Sequence, residues 1–128
     1  MPLVRIDVPQ AMPQATRRAV ADGVHAALVE AIKIPADDRF QIVTAHAADA
    51  LIADPGYLGI ARGPGFLTVQ IWLRRGRSVE LKRALYAAIA RNLSRDAGVR
   101  PEDALIVLAE NDPADWSFGN GIAQYAPG

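Results

Sequence analysis

The stretch "FLTVQIWLRRGRSVELKRALYAAIARNLSRD", residues 66–96, decides the fold, because its hydrophobic pattern changes period partway along. Phe66 to Leu73 is rich in β-branched and apolar residues and reads as a strand. From Ser78 to Asp96 the residues Leu81, Leu85, Ala88, Ile89 and Leu93 recur at the spacing of one helical face. Ser78 can cap that helix, Glu80 suits its first turn, and Gly98 supplies a left-handed stop. "ALIVLAE", residues 104–110, is a further strand, so this half of the chain reads β-α-β.

Upstream, the same order occurs once before. In residues 3–8, Val4, Ile6 and Val8 alternate with Leu3, Arg5 and Asp7, the period of a half-buried strand. Val20, Val24, Leu28 and Ile32 then recur every four positions between Pro13 and Lys33, and Pro35 closes this helix. "FQIVTAH", residues 40–46, is the second strand. The first strands of the two units begin about 63 positions apart, and the repeat is one of pattern rather than of residue identity. Between them "ADPGYLGIARGPG", residues 53–65, carries the turn chemistry of a long loop or flap. The expectation is a single domain over residues 1–128, with β-α-β halves at about 2–46 and 66–110, a flap at 47–65 and a tail at 111–128.

Right-handed crossovers make the two strands of each unit parallel, with the helix on one face of the sheet. Joining the units about a two-fold axis sets strand one antiparallel to strand three. The result is an α+β fold: a four-stranded mixed sheet with two helices on one face. In that arrangement Pro2, the loop of Asp37, Asp38 and Arg39, and the turn of Arg74, Arg75, Gly76 and Arg77 converge on one edge.

Composition narrows the function. Fourteen basic and fourteen acidic side chains cancel, so no global charge favours nucleic acid or an anionic membrane. Without cysteine there is no disulfide framework, thiol nucleophile or thiolate metal site, and His25 and His46 are too few and too far apart in sequence to suggest a metal centre. No apolar run reaches the ~18 residues of a membrane span, and the start lacks the apolar core of a secretory signal. The default expectation is a cytoplasmic protein that needs no cofactor.

The chain begins "MPLVRIDVP". A proline there can be a plain strand opener, since it surrenders only one ladder bond. If the initiator Met is removed, Pro2 becomes a secondary amine that titrates near pH ~8 unless perturbed. "LRRGRSVE" holds three guanidinium groups at a strand-to-helix turn; alone it reads as a solvated basic turn or as an anion site backed by helix N-terminal donors. Asp37 and Asp38 alone read as turn residues. Trp116 and Phe118, in "ENDPADWSFGNG", can cover the core, meet a neighbouring subunit or wall a pocket. His25, beside the apolar stripe of its helix, reads as a structural contact, and His46 at a strand end is uninformative.

Together, Pro2, "IPADDR", the spacing of Arg75 and Arg77, and "ENDPADWSFGNG" resemble the tautomerase superfamily over nearly the whole chain, and within it most nearly the malonate semialdehyde decarboxylases. The resemblance implies a homotrimer with sites near subunit contacts. It implies Pro2 as the catalytic amine, Asp38 as its acidic partner, Arg75 and Arg77 as binders of a small carboxylate substrate, and Trp116 and Phe118 as pocket walls. Departures from the family pattern are Gly76, where proline is expected between the arginines, a loop before strand three one residue longer, and a shorter C-terminus. The implied reaction is decarboxylation of a β-keto acid. Phenylpyruvate-type tautomerisation, hydration of an unsaturated acid, or a non-catalytic trimeric binding module remain as alternatives.

Overall fold

Two helices of equal length set the spacing of the repeat. The computed structural model of the chain describes all 128 residues, Met1–Gly128. Its elements run β1 (Leu3–Pro9), α1 (Gln14–Ile32), β2 (Gln41–His46), β3 (Leu67–Arg74), α2 (Val79–Ala97) and β4 (Ala104–Asn111), with short 3-10 turns between and after them. The helices start 65 residues apart, at Gln14 and Val79, and end 65 apart, at Ile32 and Ala97. The strand ends Pro9 and Arg74, and His46 and Asn111, keep the same interval. The structural repeat is therefore 65 residues, slightly more than the approximate interval read from the sequence.

The sheet has the order β2-β1-β3-β4, with β1 parallel to β2, β3 parallel to β4, and β1 antiparallel to β3. Both parallel pairs share one register, Val4 opposite Gln41 and Leu67 opposite Ala104, each 37 residues on. Val4, Ile6, Val8, Leu67, Val69, Ile71 and Leu73 turn to the helices and are buried with Val20, Val24 and Leu28 of α1 and Leu85, Ile89 and Leu93 of α2. Removing these side chains from water is the main favourable term in the fold. The helices approach closely at Gly23, where an added Cβ would lie 3.1 Å from Leu93 Cδ2, and the buried Asn92 side-chain amide donates to the Gly23 carbonyl at 3.0 Å.

The two helix ends are built differently. Ser78 Oγ accepts from the Leu81 N–H at 3.2 Å, and Gly98 stops α2 at φ 64°. In α1 the residue before the first turn is Pro13, with no side-chain cap, and the left-handed stop is Lys33 at φ 60°. A side chain there costs about 1 kcal/mol relative to glycine.

The other sheet face carries no helix. Along it lie the exposed Ile42, Leu105 and Val107, the half-buried Leu3 and Trp72, and one buried carboxylate, Asp7. Burial opposes ionisation of Asp7, but His46 Nε2 donates to Oδ1 at 2.6 Å and Arg5 Nε to Oδ2 at 3.2 Å, and together they hold its carboxyl below its ordinary value of 3.8. The segment between β2 and β3 is an anchored loop. Arg62 donates to the carbonyls of Asp54, Tyr57 and Ile60, and the Gly63 N–H donates to the buried Asp103 at 2.7 Å. No helix is long and apolar enough to cross a membrane.

Lys33→Gly should raise stability by about 1 kcal/mol, seen as a higher midpoint in urea with an unchanged slope. The depressed Asp7 carboxyl stabilises the fold fully above about pH 4, and that contribution is lost as pH falls through the lower folded-state value. Asp7→Asn should cost about 1–3 kcal/mol near neutral pH, and its gap in melting temperature from the wild type should close as both are titrated toward about pH 2.

Candidate active site

Because β1 begins at the outset of the chain, the sheet itself places the N-terminus. The antiparallel register runs from Asp7 opposite Thr68 to Leu3 opposite Trp72, so its continuation sets Pro2 against Leu73 and Met1 against Arg74. On the other side, the parallel register continues to Met1 against Asp38, and the Val4 N–H donates to the Phe40 carbonyl at 3.0 Å. Pro2 is buried. The amine of the chain, on Met1, is ion-paired with Asp38 Oδ2, and both groups are mostly shielded from solvent.

α1 fixes the loop that carries Asp38. His25 Nε2 lies 2.7 Å from the Ala36 carbonyl, and the Asp38 N–H closes a turn onto the Pro35 carbonyl at 3.0 Å. Arg39 bridges the loop to Asp22 of α1 at 2.6 Å, the contact chiefly responsible for holding the Asp22 carboxyl below its usual range. His25 thus makes a structural contact, and it does so on the loop of the candidate acid.

The arginine turn follows β3. Gly76 takes φ 121°, a conformation that L side chains rarely adopt. The Arg75 N–H donates to the Asn111 carbonyl at 2.8 Å, and its side-chain Nε donates to Asp112 Oδ1 at 2.7 Å. That carboxylate raises the pKa of the Arg75 guanidinium. Arg77 donates to the Arg74 carbonyl at 2.7 Å, and burial, then the Arg74 charge, lower its pKa. It stays cationic in the range where proteins are folded.

The tail supplies an aromatic wall. Asp112 and Asp115 cap the short turn Pro113–Asp115 reciprocally, and Trp116 Nε1 then donates to Asn111 Oδ1 at 2.7 Å. Trp116 stacks on Phe118 with centroids 5.5 Å apart, and Phe118 meets Phe40 at 5.9 Å and the edge of Tyr125 at 5.6 Å. Gln124 secures this fold-back by accepting from the Phe118 N–H at 2.9 Å and donating to the Gly119 carbonyl at 3.0 Å. A cavity of about 260 Å³ opens there, lined by Pro35, Asp37, Asp38, Phe118, Gln124 and Tyr125.

The structure therefore brings the N-terminus, Asp38 and Phe118 to one place, with Trp116 joined through its stack on Phe118. Arg75 and Arg77 stand at the adjoining end of β3, but their side chains bond to Asp112 and to their own turn rather than to Asp38 or the amine. Sequence reasoning passed over Phe40, Asn111, Asp112, Gln124 and Tyr125. The one local signal was "DPAD", an Asp with proline next and Asp three residues on, which is a capping pattern.

The 65-residue repeat provides an internal control. It carries Asp38 to Asp103, Pro2 to Leu67, Arg75 to Gln10 and Arg77 to Met12. The opposite end of the sheet holds a cavity of about 740 Å³, with Gln10, His46, Arg62 and Phe66 in its lining, yet it has no amine and Asp103 there binds the Gly63 amide. Only the Pro2 end joins an amine, a carboxylate and two arginines. No cluster of His, Asp or Glu is arranged to hold a metal ion.

Two family models described as tautomerase enzyme match this chain, over residues 38–119 and 2–59. "Probable tautomerase YusQ" of Bacillus subtilis (strain 168) is 36% identical over 124 residues, covering 97% of this chain and 98% of its own. Among solved structures, the FG41 malonate semialdehyde decarboxylase inhibited by 3-bromopropiolate is 46% identical with a TM-score of 0.92, covering 96% of this chain and 93% of its own. A second malonate semialdehyde decarboxylase, described with decarboxylase and hydratase activities, is 33% identical with a TM-score of 0.90, covering 96% and 95%. A fused 4-OT described as a symmetric trimer is 28% identical with a TM-score of 0.78, covering 96% and 97%.

Proposed function

The chain belongs to the tautomerase family, and on that premise we propose that it decarboxylates a small β-keto acid, malonate semialdehyde, to acetaldehyde and carbon dioxide, with Pro2 as its catalytic amine. The observation that carries this reading is the ion pair between the chain's amine and Asp38 at the shielded start of β1, one strand from the arginine turn. Removal of Met1 leaves Asp38 without that partner and moves the amine to Pro2, about 3.3 Å along the strand. The similarity to two malonate semialdehyde decarboxylases supports the substrate.

In the proposed reaction Arg75 and Arg77 hold the carboxylate, and Trp116 and Phe118 wall the pocket. The bond to the carboxylate breaks, its electron pair flows into the aldehyde carbonyl, and carbon dioxide leaves. Protonated Pro2 donates a hydrogen bond to the oxygen where charge develops, and a proton delivered to the enolate carbon completes acetaldehyde. One proton is taken from solvent per turnover, and no step calls for a cofactor. Asp38 favours the protonated amine, whereas the aromatic wall and the arginines oppose it. Tight grip on the carboxylate does not itself speed the reaction, because charge leaves that group in the transition state. The arginines act by orientation, holding the scissile bond perpendicular to the carbonyl plane.

A second reading is keto-enol tautomerisation of a phenylpyruvate-type acid, with neutral Pro2 as base. The description of the Bacillus relative as a probable tautomerase favours it. Self-association as a homotrimer accompanies either reading. It is supported by the uncovered face bearing Ile42, Leu105 and Val107 and by the trimeric structural neighbour.

Protein whose intact mass shows Met1 removed should release acetaldehyde from malonate semialdehyde. Pro2→Ala and Arg75→Ala should each lower that rate by about a hundredfold or more with circular dichroism unchanged. Full activity in either variant overturns the assignment, and turnover of phenylpyruvate enol without acetaldehyde release selects the second reading.

A further inference from the structure

The arginine turn is closer to neutral than its sequence suggests. Glu110 and Asp112, at and just past the end of β4, and Asp115 all act on the charge of Arg75, with Asp112 the strongest. Lys82 Nζ occupies Glu110 at 2.9 Å, which leaves Asp112 as the carboxylate bonded directly to the arginine. Asp112 is not free to swing away. Its side chain accepts from the Asp115 N–H, and its own N–H donates to Asp115 Oδ2 at 2.9 Å. It meets Arg75 only at Nε, which occupies one bidentate edge of the guanidinium and leaves its two NH2 groups, the other edge that can bind a carboxylate bidentately, with no partner in the chain.

Two arginines alone would suit a doubly charged ligand. With one charge offset by Asp112, the pair suits a single carboxylate, and a second carboxylate would approach an acidic neighbour. Resting on the reading above that Arg75 binds the substrate carboxylate, we propose that Asp112 is a specificity-determining residue that presents Arg75 by its NH2 edge and restricts the site to monocarboxylates. Short 3-oxo monoacids are admitted, and dicarboxylates of similar length are disfavoured.

The test uses two unreactive probes, propionate and malonate, titrated by calorimetry into the full-length protein with Met1 removed. Asp112→Asn keeps a capping side chain for the 113–115 turn while deleting the charge, and Asp112→Glu restores it. In Asp112→Asn, malonate should bind about five- to tenfold more tightly at low ionic strength. Propionate should change by less than about twofold, and Asp112→Glu should return the malonate-to-propionate ratio toward wild type. Equal shifts for both probes, an unchanged ratio, or no binding of either probe to the wild type overturn the proposal. Arg75→Ala in the same titration separates the two levels. If it leaves both affinities unchanged, the carboxylate-binding role of Arg75 falls together with this proposal. If selectivity shifts as expected but no acetaldehyde is released, only the decarboxylase reading falls.

Discussion

The antiparallel pairing of β1 with β3, Leu3 opposite Trp72 and Asp7 opposite Thr68, makes one site out of two repeats. Within each β-α-β unit the parallel strands put like ends together, so a single unit would have its start and its arginine turn at opposite ends of the sheet. Reversing the second unit brings the end of β3 to the start of β1, and the 37-residue parallel register then delivers Asp38 to the same edge. The buried faces of the four strands enforce that register, because a slip of one residue would turn Val4, Ile6 and Val8 out of the core. The geometry of the candidate site is therefore a consequence of core packing rather than of interactions among the site residues.

Duplication would give two equivalent ends, yet a chain has only one amine terminus. Leu67, which the 65-residue shift places where Pro2 stands, is locked into peptide bonds on both sides. The acid at the matching place, Asp103, has lost any amine to serve and instead takes the Gly63 amide and faces Arg100, pinning the loop before β3. Gln10 and Met12 replace the two arginines. A large cavity persists at that end, but its charged and imidazole side chains are already engaged: Arg62 ties three carbonyls of the loop, and His46 holds Asp7 of β1. Under the proposed function, cavity size is a poorer guide to the site than convergence of charge.

The secondary structure was legible because each element carries its own period. Val4, Ile6 and Val8 alternate, while Leu81, Leu85, Ile89 and Leu93 recur at helical spacing; the structure buries all of these but Leu81, which the first turn of α2 leaves exposed beyond the edge of the core. Ser78 and Gly98 cap α2 as their chemistry requires, whereas Lys33 in the left-handed region carries no local signal. At the site, Asp38 and the arginine turn could be placed together by topology alone. The Asp7–His46 pair could not, since nothing in the sequence separation of 39 residues reveals that β2 ends beside β1 with those two side chains on the same face. Phe40, Gln124 and Tyr125 were hidden for a related reason. They meet only because the tail folds back across the start of β2, through hydrogen bonds made by one glutamine side chain.

In the proposed reaction the charge of the amine links these parts. The carboxylate of Asp38, ion-paired with the chain's amine, attracts its cationic form. The aromatic wall acts in the opposite sense by excluding water, and the arginines do so by their charge. Here the acidic end of β4 matters beyond the carboxylate it helps select. Each negative charge that offsets an arginine also weakens the repulsion between that arginine and a protonated Pro2. A turn with Arg75 free of Asp112 would bind anions more strongly while pushing the amine toward its neutral form. That would favour proton abstraction over hydrogen-bond donation to a developing enolate. On this argument the balance between tautomerase and decarboxylase chemistry depends on how much of the arginine charge the residues from Glu110 to Asp115 neutralise, and not on Pro2 alone.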